Sequence, residues 1–533
     1  MVSINTASRA RYGYRFLKRP LALLTASVLV VVCVILIGFN TLQRTSAPRL
    51  IANTPSLRFR PDTASCRFFL AESAIPHGGL GLYTAIDIKK GDFAQSMADL
   101  CIYVADTPKG TDFETHSWAR DVFNGDFEGK NPRAACEGFA TLFNSMPPGV
   151  STSKLMPQNV NTNAGLHRAT HAGAGAVSHY FGIWSKAIQD ITAGAELTID
   201  YGDFPYQKGK KYVAPKHDPA WLLENGMCID NIKIQQAVDP QMGRGAFASR
   251  RLAKGQLVAP APLQSFPSRK AFARQKPEAL FVNYCFQPRG TDILLFPYGP
   301  GVNLINHSSQ KTNVELRWST NPYHHKEWLT VELDDYFKLD KPGGIILEVV
   351  ATRDIAEGEE LFLDYGSEWE QAWDQHAENW KPVDGADRYV YPEEMDNTEP
   401  VRTVEEQKNR PYPENLANTC FTPNWERDFG VMRWKQPDFD WPEGNVNCHI
   451  LKREKNAKGD DEYEVSLNFD SYDYTFDPKT PRKKLYIDTH VPRSAIGWVE
   501  KAYTSDLHLK NAFRHTIPLP EHLVPPLWKA AIQ

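Results

Sequence analysis

The chain has no CxC or CxxC pair among its eight cysteines, no excess of one charge, and no acidic residue ahead of its one long uncharged run. Without closely spaced thiols no zinc site is indicated, and no metal is expected. Disulfides among Cys66, Cys101, Cys136, Cys228, Cys285, Cys420 and Cys448 stay open, because spacing alone does not pair them. With 60 basic against 64 acidic residues and a formal net charge of −4, there is no electrostatic footprint for DNA or RNA, so no nucleic-acid partner is expected.

The basic start, with Arg9, Arg11, Arg15, Lys18 and Arg19, runs into an uncharged stretch from Leu21 to Phe39. At 1.5 Å per residue that stretch spans roughly 29 Å, near the hydrocarbon thickness of a bilayer. A cleaved signal peptide would have an apolar region of only about 7–15 residues. The sequence therefore predicts a transmembrane signal anchor over 21–39, with a basic cytosolic N-terminus at 1–20. Arg44 and Arg49 are the cations just beyond the span. The positive-inside bias then sends the remainder across the membrane, a type II single-pass protein of the secretory pathway. Pro48, Pro55 and Pro61 make 40–65 a stem.

At 533 residues, 42% hydrophobic and 11% aromatic, the chain is too long for one core and apolar enough for several. It also repeats itself. The segment 187–202, ending Glu196-Leu197-Thr198-Ile199-Asp200-Tyr201-Gly202, recurs without a gap at 351–366, ending Glu360-Leu361-Phe362-Leu363-Asp364-Tyr365-Gly366. Earlier in each copy Gly79-Leu80-Gly81 and Lys90-Gly91 match Gly243-Arg244-Gly245 and Lys254-Gly255. A duplicated unit of roughly 140 residues is too long for a solenoid repeat. Short apolar runs between Gly and Asp turns predict strands. The expected fold is mainly β with some α: a first module at 66–203, a linker at 204–227, a second module at 228–370, and a mixed α+β unit of unknown role at 371–533. In that last unit Tyr463–Phe469 alternates like a strand, and Ser505 is placed to cap a helix through Leu507 and Phe513 before Pro518 and Pro520 stop it.

In the second copy Gly243-Arg244-Gly245 is followed by Asn303-Leu304-Ile305-Asn306-His307-Ser308-Ser309 with Asn313, then by Glu360-Leu361-Phe362-Leu363-Asp364-Tyr365-Gly366. Taken in order, these three elements resemble the SET domain of protein methyltransferases. The resemblance implies a strand-rich, threaded fold and S-adenosylmethionine as cofactor. Gly243, Gly245, Asn306 and His307 would bind that cofactor, and Tyr365 would be the catalytic residue facing a protein or peptide lysine. A glycine lets backbone approach a ligand and accepts positive φ. A phenol suits methyl transfer because it can orient a neutral amine beside a donor that already carries the activation. Ser309 stands where the family usually has cysteine, no YxG element precedes Asn303, and no cysteine-rich segment follows Tyr365.

In the first copy the counterpart of the Asn-His-Ser loop is expected within 161–176, where no Asn-His pair occurs. Its His167-Arg168 and Gly173-Ala174-Gly175-Ala176 pattern, like the late Phe513-Arg514-His515, resembles divergent SET-like proteins of algae, diatoms in particular. The first module then reads as a scaffold or peptide-binding module, and Gly173 and Gly175 as a tight turn. Two functions follow. One is a membrane-anchored lysine methyltransferase working through the second module; the other is a non-catalytic tandem scaffold at a membrane. Asn306-His307-Ser308 is also an N-glycosylation acceptor pattern, and a glycan there would abolish the site.

Overall fold

The computed structural model describes residues 66–530 apart from 77, 96–98, 107–122, 125–131, 158–165, 179–180, 202–210, 271–277, 340–343, 396–397, 423–426, 436–444 and 470–472. All of these lie in one unit, Asn53–Gln533. The expected span 21–39 and stem 40–65 are outside the described residues. Among the described residues no helix is long and apolar enough to cross a membrane.

Strands dominate, and two hairpins are built alike. Phe68–Glu72 runs antiparallel to Leu80–Thr84, and Ile232–Gln236 runs antiparallel to Arg244–Ala248. After each hairpin comes a Lys-Gly turn whose glycine, Gly91 or Gly255, has positive φ. Each chain segment is then bridged to the later part of its copy, Ile88 to Ile191 and Leu252 to Ile355. Each copy also has a two-residue strand lying parallel to its closing segment. Asn144–Ser145 lies beside Glu196–Ile199, and Asn306–His307 beside Phe362–Leu363. Parallel pairing requires a long crossover, which here is the stretch between the two-residue strand and the closing segment.

Each half carries a larger sheet. In the second it has six strands in the order Val314–Trp318, Ile346–Ala351, Leu257–Phe266, Leu294–Pro297, Phe286–Gln287 and Ile517–Pro518. The last strand comes from the far end of the chain and pairs parallel to Phe286–Gln287. Leu519, Leu523 and the fully buried Trp528 follow it into the core around Val258, Leu316 and Val349. The C-terminal residues therefore complete the second module. Between them and the helix Ser367–Asn379 lies a separate six-stranded sheet, which includes Leu416–Phe421, Asn445–Lys455, Asp461–Asn468 and Tyr486–Pro492. The strand expected over Tyr463–Phe469 forms as Asp461–Asn468, starting two residues earlier and ending one earlier, with its inward side chains in a core of Val401, Ile450 and Val465.

The helix expected after Ser505 does not form. Asp506–His508 makes a single 3-10 turn, and the Ser505 side chain does not cap it. Asp506 is buried and takes hydrogen bonds from Arg168 at 2.6 Å and Tyr391 at 2.7 Å, so long-range partners override local propensity. The described end of the linker holds the short helix Pro219–Asn225, capped by Asp218 accepting from the Ala220 N–H. Met227–Cys228 then adds to the first module's sheet, opposite Leu70 and Phe69.

Three disulfides pair six cysteines: Cys66–Cys228, Cys101–Cys136 and Cys420–Cys448. Cys285 is a buried free thiol. Among the described residues one group has the spacing of metal ligands, Cys66, Cys228 and Asp230. Its two sulfurs are joined to each other, and Asp230 is ion-paired to Arg67 and Arg250, each at 3.0 Å.

Candidate functional site

The parallel pairing of Asn306–His307 with Phe362–Leu363 carries the candidate site. Asn313, fully buried, locks this crossing: its Nδ2 donates to Glu360 O at 2.8 Å and its Oδ1 accepts from Phe362 N–H at 2.8 Å. Asn306 Nδ2 donates to Arg244 O at 2.9 Å and to Glu360 Oε1 at 3.1 Å, tying the glycine hairpin to the closing segment. His307 Nδ1 accepts from the Tyr365 N–H at 3.0 Å, so Nε2 carries the ring proton. Among the described residues that buried Nε2 has no hydrogen-bond partner, and the Glu370 carboxylate is 3.7 Å away.

Tyr365 turns back under the loop, and its hydroxyl donates to Ile305 O at 2.6 Å. Burial, reinforced by nearby Tyr284, pushes its pKa well up, so it is a neutral phenol at physiological pH. Asn306, His307 and Tyr365 line a cavity of about 330 Å³. Gly243 and Gly245 do not. Gly243 ends a 3-10 turn with φ of 72° and lies between the lining residues Met242 and Arg244. Gly245 is glycine for a packing reason: a Cβ there would run into Glu360 Oε1 and approach Asn306 Nδ2.

Tyr284, Trp369 and Trp373, which also line the cavity, belong to no motif of the sequence. Tyr284, also pushed up by burial, accepts from Ser178 N–H at 2.6 Å. It begins the Tyr284-Cys285-Phe286 run, which has no glycine to mark it. Trp369 stands edge-on to Tyr365 at 5.0 Å, stacks near Trp373, and both pack against Phe513. Arg244, the middle residue of the glycine motif, also lines the cavity. Leu166, Gly173 and Ala176 from the first module and Phe513 and Ile517 from the tail form further wall. Gly175 has φ of 72° and faces tail residues Asp506 and Ala512.

The residues fit the implied cofactor's chemistry. The buried Nε2–H of His307 is a donor without an acceptor, the Trp369 and Trp373 rings offer flat apolar faces, and the carboxylates of Glu370 and Asp374 line the cavity on the same helix.

The first module retains the crossing but not the cavity residues, and the counterpart of the Asn-His segment lies at 144–145 rather than within 161–176. Asn144 Nδ2 donates to Leu80 O at 2.9 Å and Glu196 Oε1 at 2.8 Å, as Asn306 does to Arg244 and Glu360. Ser145 Oγ takes the Tyr201 N–H at 3.2 Å, where His307 takes that of Tyr365. Tyr201 donates to Phe143 O but is 54% exposed.

The SET domain family matches residues 243–366. Among curated proteins no significant sequence match is found. Solved structures similar to the chain include a Plasmodium falciparum protein provisionally described as a histone methyltransferase. It is 21% identical, with a TM-score of 0.18, over 26% of this chain and 96% of that one. A chain of an active polycomb repressive complex 2 is 21% identical, with a TM-score of 0.19, over 26% of this chain and 15% of that one. CpSET8 from Cryptosporidium is 20% identical, with a TM-score of 0.18, over 26% of this chain and 58% of that one.

Proposed function

We propose that this chain is a protein lysine methyltransferase that uses S-adenosylmethionine at the second of two tandem SET-like modules. The observation that carries the reading is the cavity joining Tyr365, Asn306 and His307 within the stretch matched by the SET family. When bound, S-adenosylmethionine supplies an activated methyl group. His307 Nε2–H and the aromatic faces of Trp369 and Trp373 hold it, with Glu370 and Asp374 accepting hydrogen bonds. Tyr365, kept neutral by burial, orients the acceptor amine with its hydroxyl while Ile305 O fixes the ring. Apolar walls from Phe286, Leu316 and Ile517 exclude water. Asn306 acts by holding the loop rather than by reaching out, since its amide is already engaged twice.

The tandem reading is supported by the matched hairpins, crossings and Asn–Glu contacts of the two halves. The first module has a serine for the histidine and an exposed Tyr201, and serves as scaffold. The chain is anchored through 21–39 as a type II membrane protein with its modules in the secretory lumen. Three disulfides suit that oxidising compartment. There the acceptor pattern at Asn306 has to stay unmodified for the site to form, because its Nδ2 carries two hydrogen bonds in the folded chain.

Calorimetric titration of the purified full-length chain with S-adenosylmethionine, beside Asn306→Ala, tests the enzyme reading. Binding by the intact chain that the variant loses supports it. No binding by the intact chain sinks it and leaves the tandem scaffold.

A further inference from the structure

Asp99 and Glu137 are buried in the first module, and among the described residues no cation is bonded to either. Asp99 starts the strand Asp99–Asp106 and Glu137 ends the neighbouring strand Pro132–Glu137, whose partner cysteines form the Cys101–Cys136 disulfide. Asp99 is satisfied locally, by the N–H groups of Phe139 at 2.8 Å and Ala140 at 2.6 Å. Gly138, between Glu137 and Phe139, has φ of 131°, and a Cβ there would strike Asp99. Glu137, 1% exposed, reaches instead into the other module: its Oε2 accepts from Asn303 N–H at 2.9 Å. Asn303 sits in the 3-10 turn Val302–Leu304, two residues ahead of the carbonyl that holds Tyr365 and three ahead of Asn306.

We propose that Glu137 is a positioning residue for the second module's site, bracing from the first module the turn that delivers Ile305, Asn306 and His307 to the cavity. The proposal rests on the S-adenosylmethionine reading of that cavity only for its ligand, not for the brace itself. Removing the carboxylate leaves the Asn303 N–H buried without this acceptor, a cost that falls on the loop and not on the hairpin or the closing strand.

A second contact surface makes the brace cross-module rather than incidental. Ser178, also of the first module, donates its N–H to Tyr284 Oη, accepts from the Arg244 guanidinium at its carbonyl, and donates its Oγ–H to Cys101 O at 3.2 Å. Asn303, Tyr284 and Arg244 thus each line the cavity and each lean on the first module.

The groups facing Glu137 are Asp99 on the adjacent strand, Arg244 on the glycine hairpin and Tyr284 on the 3-10 segment before Phe286. Burial lifts the Glu137 pKa to about 8, with Asp99 adding to the rise and the Asn303 N–H and Arg244 opposing it. Its charge therefore changes within an accessible range. The ionised carboxylate is the stronger acceptor for the Asn303 N–H and the better partner for Arg244.

The test uses the full-length chain with Glu137→Ala and Glu137→Gln. Hydrogen exchange reads the brace without any ligand, and S-adenosylhomocysteine titrated at pH 7, 8 and 9 reads its effect on the site. Glu137→Ala is expected to speed amide exchange in a 300–307 peptide at least tenfold and to weaken binding at least tenfold. Glu137→Gln, which keeps an acceptor but no charge, should bind like the intact chain at pH 7 and at least threefold more weakly at pH 9. Unchanged exchange in both variants overturns the proposal, as does a Gln-to-intact affinity ratio that is constant from pH 7 to 9. Faster exchange with no binding by the intact chain leaves the brace standing and removes the cofactor reading.

Discussion

Asn306 gives its side-chain amide to the Glu360 carboxylate at 3.1 Å, across a glycine, Gly245, that has no room for a side chain. Three motifs, each more than fifty residues from the next in sequence, meet in that contact. Asn306→Ala leaves the Arg244 carbonyl and one Glu360 oxygen without this donor, costing about 1–3 kcal/mol for each buried group. Gly245→Ala forces Asn306 and Glu360 apart. Both variants should lower the melting temperature, and both should lose S-adenosylmethionine binding in the same calorimetric titration.

Tyr365→Phe removes one hydroxyl from the cavity and its bond to Ile305 O, while the ring stays packed on Trp369 and His307. Orientation of the amine is lost while the cofactor's own contacts remain. Methyl transfer to a lysine substrate is expected to fall on the order of a hundredfold or more, with cofactor affinity within about threefold. A variant that retains full activity would remove Tyr365 from the catalytic role.

Burial lifts Asp99 to about 7 and Glu137 to about 8, both above their values in an unfolded chain. The folded state therefore holds protons that the unfolded state releases above roughly pH 4.5, so stability from these groups is present at low pH and lost as pH rises toward 8. Between pH 6 and 9 the melting temperature of the intact chain should fall more steeply than that of Glu137→Gln, by about 3 °C or more. Parallel curves would show that Glu137 does not titrate there.

Chain purified from its native compartment should show two thiols after denaturation without reductant: Cys285, and Cys33 in the segment outside the described residues. Before denaturation Cys285 should resist alkylation, being fully buried. Eight reactive thiols would mean a reducing compartment. Reduction should destabilise the chain most through Cys66–Cys228, whose 162-residue separation makes its loop-closure contribution about 5 kcal/mol in the chain-entropy picture.

Local pattern made much of this readable. The strand at Tyr463 shows in its alternation, because side chains on a strand alternate between faces. The Asp506–Phe513 stretch misled, because its helix cap competes with a buried Arg168–Asp506 pair 338 residues apart in sequence. The counterpart of Asn306 lies at Asn144 and not in the Gly-Ala stretch, and two residues of strand, Asn144-Ser145, are too short to stand out in sequence. Tyr284 was missed for the same reason: no glycine or charge marks it, and only its hydrogen bond to Ser178 and its place in the cavity do.

The sequence by itself determined the β-rich class, the internal repeat and the three ordered motifs of the second copy, because each rests on contacts or conformations local to a few residues. It left open which cysteines pair and what walls the cavity. Tertiary structure decided those, since disulfide pairing, the tail strand beside Phe286 and the Glu137–Asn303 bond all join residues whose proximity only the folded chain creates. The glycines show the division most clearly: Gly245 is legible as a motif, but its reason, the space taken by Glu360 and Asn306, exists only in three dimensions.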